Sequence, residues 1–344
     1  MKIYSYLILL VAVLTYSCTE TLVQESDATV KVVEVDSLTA LKNSEFETIN
    51  NQLKADVNNA NLYLKRAQLY KKYNEIPLAI EDIDRALKVD SLIPEFYLLK
   101  ATMQKENDDY QNAKRTLDQC LLIDNGNVQA RIELGWMAFI IQNYEQAIDY
   151  ADEALKRNMY SAEAYYLKGM IFYENQDTAK AISSFITAVE QESNYYDAYI
   201  QLGVLHFNQD NDLAKGYIKN ALRIKPESVE AMYHYALWCQ EHDEYNEAIE
   251  TYHKIIAIKP YREALFNLGF VHQEYLQVYD LAVGFYTEAI GSDKNYYEAY
   301  YNRGLCNEKL GNFDQAEVDF REALSINPDY DYAALSIERV LKKK

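Results

Sequence analysis

Cysteine and histidine are the residues of this chain whose types and spacing would support the most distinctive chemistry. The chain has four cysteines and five histidines. Cys239 and His242 are spaced to share one helix face, but no further ligand follows at a spacing that a metal site needs. Three cysteines lie in the body of the chain and are expected to be buried as small apolar residues: Cys120, Cys239 and Cys306. The sequence therefore predicts no metal site and no disulfide.

Motifs that support catalysis or bind phosphate are also missing from the sequence. It has no G-x-G-x-x-G or G-x-x-x-x-G-K loop, no H-E-x-x-H and no G-x-S-x-G. Carboxylates are spread over the whole chain, so no catalytic pair can be singled out. We therefore predict a protein that is not an enzyme and that carries no cofactor.

The composition indicates a helical, acidic protein. Of 344 residues only ten are Gly and five are Pro, which favours long helices over many-turned β structure. With 34 Lys and Arg against 53 Asp and Glu, the formal net charge is −19. Such a chain repels a phosphate backbone, so nucleic acid is excluded as an expected partner.

The first eighteen residues have the pattern of an export signal. Lys2 supplies a positive charge, and residues 3–14 are hydrophobic but fewer than the about 20 that cross a bilayer. Cys18 then closes the segment, which resembles the lipobox of bacterial lipoproteins, whose cysteine is lipidated after the leader is removed. That family prefers Leu three residues before the cysteine, where this chain has Thr15.

We therefore expect a lipoprotein signal peptide over 1–18 with lipidation at Cys18; ordinary secretion is the alternative. Thr19 stands where some bacterial lipoproteins carry the Asp that retains them in the inner membrane. The expected location is thus the bacterial cell envelope, at the outer membrane, facing the periplasm or the outer surface. Residues 19–40 are polar and acidic, and we interpret them as a flexible tether.

Small residues recur along the rest of the chain, each followed by Ala eleven to thirteen positions later. The pairs are Ala67/Ala79, Ala101/Ala113, Gly135/Ala147, Gly169/Ala181, Gly203/Ala214, Ala236/Ala248, Gly269/Ala282 and Gly304/Ala316. Successive first members are 34, 34, 34, 34, 33, 33 and 35 residues apart. One helix-turn-helix unit is therefore used eight times, because apolar residues within each unit follow a helical period.

These anchors and their period resemble the tetratricopeptide repeat (TPR) family. The resemblance implies an all-α fold, a right-handed α-solenoid of eight TPR helix-turn-helix repeats over 60–330. A capping helix is expected before them over 41–59, with Ser44 and Glu47 at capping-box spacing, and another after them over 331–344. The seventh unit has one extra residue between its anchors, so we expect its hairpin turn, at 274–280, to be longer.

In this family the first helix of each hairpin lines a concave face on which partners bind. The lysines and asparagines with which some members hold a peptide carboxylate are absent here. From Ile132 onward the corresponding positions are apolar or aromatic. The predicted partner-binding groove consists of Ile132, Trp136, Phe139, Tyr166, Met170, Tyr173, Phe207, Tyr233, Leu237, Phe266, Phe270 and Tyr301. Helix-against-helix packing is the alternative role for these residues.

Acidic residues recur at the starts of the same helices and are expected to form a rim: Glu95, Glu163, Asp197, Glu230, Glu263 and Glu298. Each one singly is explained by favourable interaction with a helix N-terminus. Together they favour a protein or peptide with apolar and basic residues. We therefore predict a lipid-anchored scaffold that binds a protein segment, with envelope assembly, secretion or recruitment of cell-wall enzymes implied by resemblance to TPR lipoproteins. The alternative is a carrier for an apolar small molecule or a glycan.

Overall fold

The computed structural model describes residues 39–344. The predicted signal peptide, Cys18 and residues 19–38 of the predicted tether lie outside this part of the chain. All regular structure within 39–344 is helical, which confirms the predicted all-α class. None of these helices combines the length and the apolar character that a membrane span requires. The chain divides into two compact units, unit 1 ending at Asn158 and unit 2 beginning at Met159.

Unit 1 consists, in its described part, of one helix followed by three hairpins in which consecutive helices contact each other. The helices are α1 (39–55), α2 (Ala60–Lys72), α3 (Ile76–Val89), α4 (Pro94–Glu106), α5 (Tyr110–Ile123), α6 (Val128–Ile140) and α7 (Tyr144–Arg157). Hairpins are numbered in chain order, so that α2 and α3 form hairpin 1.

Unit 2 contains hairpins 4 to 8 and a final helix. Its helices are α8 (Ala162–Glu174), α9 (Thr178–Gln191), α10 (Tyr196–Phe207), α11 (Leu213–Ile224), α12 (Val229–Glu241), α13 (Tyr245–Ile258), α14 (Arg262–Phe270), α15 (Tyr279–Ser292), α16 (Tyr297–Lys309), α17 (Phe313–Ile326) and α18 (Asp331–Leu341). The α-solenoid of eight TPR hairpins predicted from the anchors is thus confirmed.

Each hairpin turn contains one residue in the left-handed backbone region. In the described chain these residues are Asn74, Asp108, Gln142, Gln176, Asp210, Asp243, Gln277 and Gly311. A polar cap often follows: the Asn143 side chain accepts a hydrogen bond from the backbone N–H of Gln146, and that of Asp177 from the N–H of Lys180. The turns therefore form where short polar side chains satisfy the free N–H groups at a helix start.

The small anchors let the two helices of a hairpin touch closely. A Cβ atom added to Gly269 would lie 2.7 Å from Cε1 of Tyr286, and one added to Gly304 would lie 2.7 Å from Cε1 of Phe320. Both aromatic rings are completely buried. In hairpins 7 and 8 the ring of the second helix thus rests on bare backbone of the first, and we call this contact between the two helices of a hairpin the seam.

Hairpin 7 corrects one prediction from the sequence. Its extra residue does not lengthen the turn, which consists of three residues, 276–278, as in hairpin 4. Instead α14 continues into a π-helical turn over Val271–Tyr275, which holds one more residue in the same helical length. The residue is accommodated in the helix because the turn retains its left-handed Gln277.

The terminal helices cover the ends of the two units. The ring of Phe46 on α1 lies 4.7 Å from that of Tyr70, between centroids, and Val340 on α18 is fully buried. The predicted capping box is wrong: Ser44 and Glu47 lie inside α1, where the carbonyl of Ser44 accepts a hydrogen bond from the Thr48 hydroxyl at 2.9 Å.

Candidate partner-binding face

The first helices of hairpins 4 to 8 carry an apolar residue directly after each seam residue. We call these five the inner row: Met170, Val204, Leu237, Phe270 and Leu305. All five are half-buried. Because they occupy one repeat position in successive hairpins of unit 2, they line the first-helix face of that unit.

Residues three positions before each seam residue are mainly occupied in packing. The Tyr166 ring lies 5.5 Å from Phe185 in its own hairpin and 5.2 Å from Tyr195 at the start of the next. Phe266 repeats the arrangement, at 5.4 Å from Tyr286 and 5.1 Å from Tyr296. Tyr233 and Tyr301 do the same in their hairpins. These predicted groove residues therefore join hairpin to hairpin and offer a partner only the remainder of their surface.

The apolar character of this face ends toward the turns in the later hairpins. Tyr173 is 37% exposed and Phe207 is half-buried. At comparable places in hairpins 6 and 7, the buried Gln240 and Gln273 accept hydrogen bonds from the hydroxyls of Tyr252 and Tyr286, both at 3.0 Å. These amides are already paired, so the apolar strip narrows to the inner row there.

The acidic residues of unit 2 lie at the starts of the same first helices, and they differ in how far they are neutralised. Asp197 and Glu230 are exposed, and Glu230 accepts a hydrogen bond from the Tyr196 hydroxyl at 3.1 Å. Glu263 is paired with Arg262 at 2.7 Å. Burial, with the negative charges of Asp197 and Glu230 added, raises the pKa of Tyr166 to about 12. Asp197 and Glu230 therefore keep exposed negative charge at the starts of hairpins 5 and 6.

In unit 1 the corresponding face is more polar and is crossed by ion pairs. Lys71 contacts Glu106 at 2.6 Å, and Lys105 pairs with Glu133. Glu95 is exposed beside a shallow cavity of about 430 Å³. Side chains of hairpins 1 to 3 thus satisfy much of their own charge.

Of the groove residues predicted in unit 1, one is corrected by the structure. Ile132 is only 1% exposed, because it is enclosed between helices, and it has no surface for a partner. Trp136 and Phe139 are half-buried, and their rings meet edge to face with 5.5 Å between centroids. These two residues belong to unit 1, whereas the inner row belongs entirely to unit 2.

The three thiols in the described part of the chain lie in the interior. Cys120, Cys239 and Cys306 are buried and unpaired, as predicted. Burial raises the pKa of Cys120 and Cys239 to about 11, so both remain protonated at neutral pH. Within residues 39–344, no group of three or more His, Cys, Asp or Glu side chains has the arrangement of a metal site.

Cationic side chains of unit 2 were missed by the sequence reasoning. Arg262 bridges Glu263 and Asp293, and the Lys215 ammonium lies 4.4 Å from the centre of the Trp238 ring. The position of Arg262 directly before an acidic rim residue was the available signal for the first pair. Lys215 has no such signal, since its partner is set by the packing of α11 on α12.

Comparison with protein families supports the repeat assignment directly. A tetratricopeptide repeat model matches residues 297–330, and a second tetratricopeptide repeat model matches residues 98–162 and 132–197. These segments come from both units, and the first coincides with hairpin 8 and the residues that follow it.

Two relatives are similar over about half of the chain. Protein bimA of Emericella nidulans is 29% identical over 169 residues, covering 46% of this chain and 20% of its own length. Human tetratricopeptide repeat protein 6 is 26% identical over 210 residues, covering 59% of this chain and 40% of its own. The chain therefore spans less than half the length of either relative.

Two solved structures share the fold. The APC/C hetero-tetramer Cut9–Hcn1 has a TM-score of 0.51 at 16% identity, covering 85% of this chain and 58% of that one. The human IFIT1 dimer with m7Gppp-AAAA has a TM-score of 0.53 at 14% identity, covering 82% and 66%. Tetratricopeptide repeats generally mediate protein–protein interactions as scaffolds. With eight hairpins built on the family's anchors, and with family models matching both units, the chain is a tetratricopeptide-repeat protein.

Proposed function

We propose that unit 2 binds a segment of another protein along the inner row. The observation that carries the proposal is the repetition of a half-buried apolar side chain at one position in five successive first helices. A partner that covers the row removes this surface from water, and a contiguous apolar surface of this kind usually marks an interaction site. No reactive group accompanies the row, so the role is binding.

The partner's chemistry follows from the charges beside the row. Asp197 and Glu230 are exposed, while Glu263 already has Arg262 as its partner. The preferred segment thus presents apolar residues to the inner row and a Lys or Arg toward hairpins 5 and 6. Charge complementarity of this kind raises the association rate and makes binding sensitive to salt.

The test uses labelled synthetic peptides and the full chain. One peptide carries alternating Leu and Lys, and a second replaces every Lys by Glu. Fluorescence anisotropy is expected to show binding of the Lys peptide, weaker at high salt, and a loss of about tenfold or more when Leu237 and Phe270 are both replaced by Ala. Lys-peptide binding that does not weaken at high salt, or Glu-peptide binding that is lost in the same double variant, would contradict the charge assignment.

A matched control lies on the same hairpin as Phe270. Leu281, on the second helix α15, is 50% exposed, and Leu281→Ala removes exposed apolar surface that does not belong to the inner row. This variant should bind the Lys peptide as the wild type does. If the purified protein instead carries a stoichiometric lipid or glycan in native mass spectrometry, the carrier role replaces peptide binding.

We further propose that the chain is a lipoprotein of the bacterial envelope, held at the outer membrane through Cys18. The support is the sequence of residues 1–18: the charge of Lys2, the short hydrophobic stretch and the cysteine that closes it. In this role the scaffold brings envelope proteins together, as in envelope assembly, secretion or the recruitment of cell-wall enzymes.

Membrane fractionation tests the anchor. Cys18→Ser should move the protein from the membrane to the soluble fraction, whereas Ser17→Ala should leave it in place. Metabolic labelling with a fatty acid should be lost only in the first variant. Membrane attachment that persists in Cys18→Ser would exclude lipidation at this residue.

A further inference from the structure

A second apolar surface lies in unit 1 and consists of other residues than the inner row. It is a cleft of about 510 Å³ between the second helices α5 and α7, floored by the end of α6. Met137 and the buried Leu134 form its base. Ile140 and Ile141 project from its edge and are 64% and 72% exposed. We call these two residues the apolar ledge, which is more exposed than Leu276 and Leu310 at the corresponding ends of hairpins 7 and 8, at 42% and 43%.

At one position beside the cleft hairpin 2 carries a polar residue where most hairpins are aliphatic, as hairpins 5 and 8 also do with Lys215 and Glu317. The residue after the second anchor is Ile or Val in five hairpins, where it is half-buried, as Ile148 and Ile182 are. Hairpin 2 has Lys114 instead, and half of its side chain is exposed. The aliphatic group that would fill the space between neighbouring second helices is therefore missing.

Ile140 and Ile141 differ from the residues at the same positions in the other hairpins. Counted back from the left-handed turn residue, the position of Ile140 is charged or Asn in six of the other hairpins, as in Glu106 and Glu174, and is Tyr275 in hairpin 7. Ile140 and Ile141 are consequently the one aliphatic pair at these two positions among the eight repeats. Both differences, in consecutive hairpins, are found at the same cleft, one placing a polar residue beside it and the other extending its apolar surface.

The charges beside the cleft are positive, in a chain whose net charge is −19. Lys114 is paired with Asp118 at 2.9 Å, and Asp118 is the one carboxylate that lines the cleft. Arg115 has no ion-pair partner among residues 39–344, and its contact with Asn112 is long, at 3.5 Å. The open guanidinium is suited to a carboxylate of another molecule.

We propose that this cleft is a second docking site, which takes a partner protein segment bearing apolar side chains next to an acidic residue. The apolar side chains cover Ile140 and Ile141 and enter the cleft, and the carboxylate pairs with Arg115. A protein segment fits better than a small molecule, because the two isoleucines project outward and must be covered across a surface. The partner's charge is opposite to that expected on the inner row.

The experiment uses the full chain and a labelled helical peptide of about sixteen residues with Leu on one face and Glu beside it. A charge-reversed peptide with Lys for Glu is the comparison. In the full chain carrying Leu237→Ala and Phe270→Ala, which removes the inner row, anisotropy should show tighter binding of the Glu peptide, and the variants below are made in this background. Lys114→Ile, which restores the aliphatic residue of most other hairpins, should close the cleft and weaken binding about tenfold or more. The pair Ile140→Glu and Ile141→Asn, which copies hairpin 4, should do the same.

Folding and specificity have their own controls. The substituted residues occur at these positions in other hairpins, so circular dichroism and the melting temperature should be retained. Leu122, on α5, is 85% exposed outside the cleft, and Leu122→Glu should not alter binding of the Glu peptide. Arg115→Glu should reverse the preference between the two peptides. Leu237→Ala with Phe270→Ala should leave this site unaffected, which separates it from the inner row.

Three results would overturn the proposal. The first is unchanged binding in both Lys114→Ile and the double isoleucine variant. The second is self-association in sedimentation velocity that these variants abolish, which would make a second copy of the chain the occupant. The third is displacement of the Glu peptide by a synthetic peptide of residues 19–38 at lower concentration than the Glu peptide itself requires, which would make the chain's own segment the occupant.

Discussion

Units 1 and 2 form the same kind of hairpin with different residues between its two helices. In unit 1 the seams of hairpins 1 and 2 pair Ala67 with Ile83 and Ala101 with Leu117, whereas unit 2 sets glycines such as Gly269 against aromatic rings. The first-helix face differs as well, since unit 1 covers it with ion pairs and unit 2 leaves the inner row apolar. The repeat therefore requires a close contact between the two helices, which different residues can provide, and leaves the outward positions free to take on separate binding roles.

The largest expected change in the free energy of unfolding comes from breaking a buried Arg–Asp pair, and such a pair is found in both the first and the last hairpin. Arg303 pairs with Asp319, whose other hydrogen-bond partner is Asn307 at 3.1 Å. Asp82 pairs with Arg66 and also with Arg85, the latter at 2.5 Å, so that it still has a cation beside it when Arg66 is replaced. Arg303→Met should lower the free energy of unfolding by about 3 kcal/mol, because it leaves a buried carboxylate without a cation. Arg66→Met should cost clearly less.

Urea unfolding followed by circular dichroism measures both variants. Equal losses would mean that Arg85 does not compensate, and that the two ends are held by their Arg–Asp pairs in the same way.

The next effect concerns the glycine seam of unit 2. Gly269→Ala should destabilise the protein by about 2 kcal/mol, because the added methyl meets the buried Tyr286 ring. Gly284, on the second helix of the same hairpin, faces open space, and Gly284→Ala should stabilise by up to about 1 kcal/mol. Thermal unfolding of the two variants should therefore shift in opposite directions. If both variants shifted the melting temperature in the same direction, close contact between Gly269 and Tyr286 would not explain the result.

A smaller effect distinguishes the two covering helices by pH. Hydrogen bonds from Arg339, and also from Lys343, lower the pKa of Glu308 from 4.5 to about 2, tying α18 to hairpin 8. A lowered carboxylate pKa stabilises the fold above the unfolded value, and this contribution is lost as the pH falls from about 4.5 toward 2. We expect a loss of about 1 kcal/mol over that range.

Melting temperatures of the wild type and Glu308→Gln across this range provide the check. The variant should be less stable than the wild type near neutral pH and should lose less stability on acidification. Glu45 on α1 holds Lys72 in a more exposed pair, so Glu45→Gln should change the profile less. If Glu45→Gln changed the dependence of the melting temperature on pH more than Glu308→Gln does, the ion pair of α1 would contribute more than that of α18, against this prediction.

The smallest effect tests a feature that both units share. Gln142 and Gln176 have φ of 60° in the turns of hairpins 3 and 4. Replacing either by Gly should stabilise by about 0.5 kcal/mol, because glycine adopts this conformation without strain. The gain should be equal in the two units, as measured by the denaturant midpoint. Unequal gains would show that the turns, too, differ between them.

The period of the anchors was sufficient to predict the eight hairpins, because small residues and helical spacing determine the seam locally. It was not sufficient for the extra residue of hairpin 7, since a turn and a helix can each absorb one residue. In the structure the helix absorbs the residue as a π-helical turn, and the turn keeps its usual length with a left-handed Gln277.

The candidate site was harder to predict than the fold. Ile132 and the inner-row residues are apolar alike, and sequence does not reveal which of them a neighbouring helix covers. Charges posed the same difficulty: Lys71 and Glu106 lie one repeat apart, but acids are so abundant that spacing alone does not select the partner. The edge of the cleft in unit 1 could have been found by aligning the repeats with one another, because Ile140 and Ile141 are the one aliphatic pair at their positions.

The π-helical turn of hairpin 7 has a consequence for how such an array changes length. An inserted residue that widens one helical turn leaves the connection and the following helix undisturbed, so the insertion is confined to a single hairpin. It also turns the end of the helix about its axis, and there Tyr275 stacks on Tyr245 of the preceding hairpin with 4.3 Å between ring centres. The hairpin with one more residue therefore still packs on its neighbour, and the stacked tyrosines are one of the contacts between them.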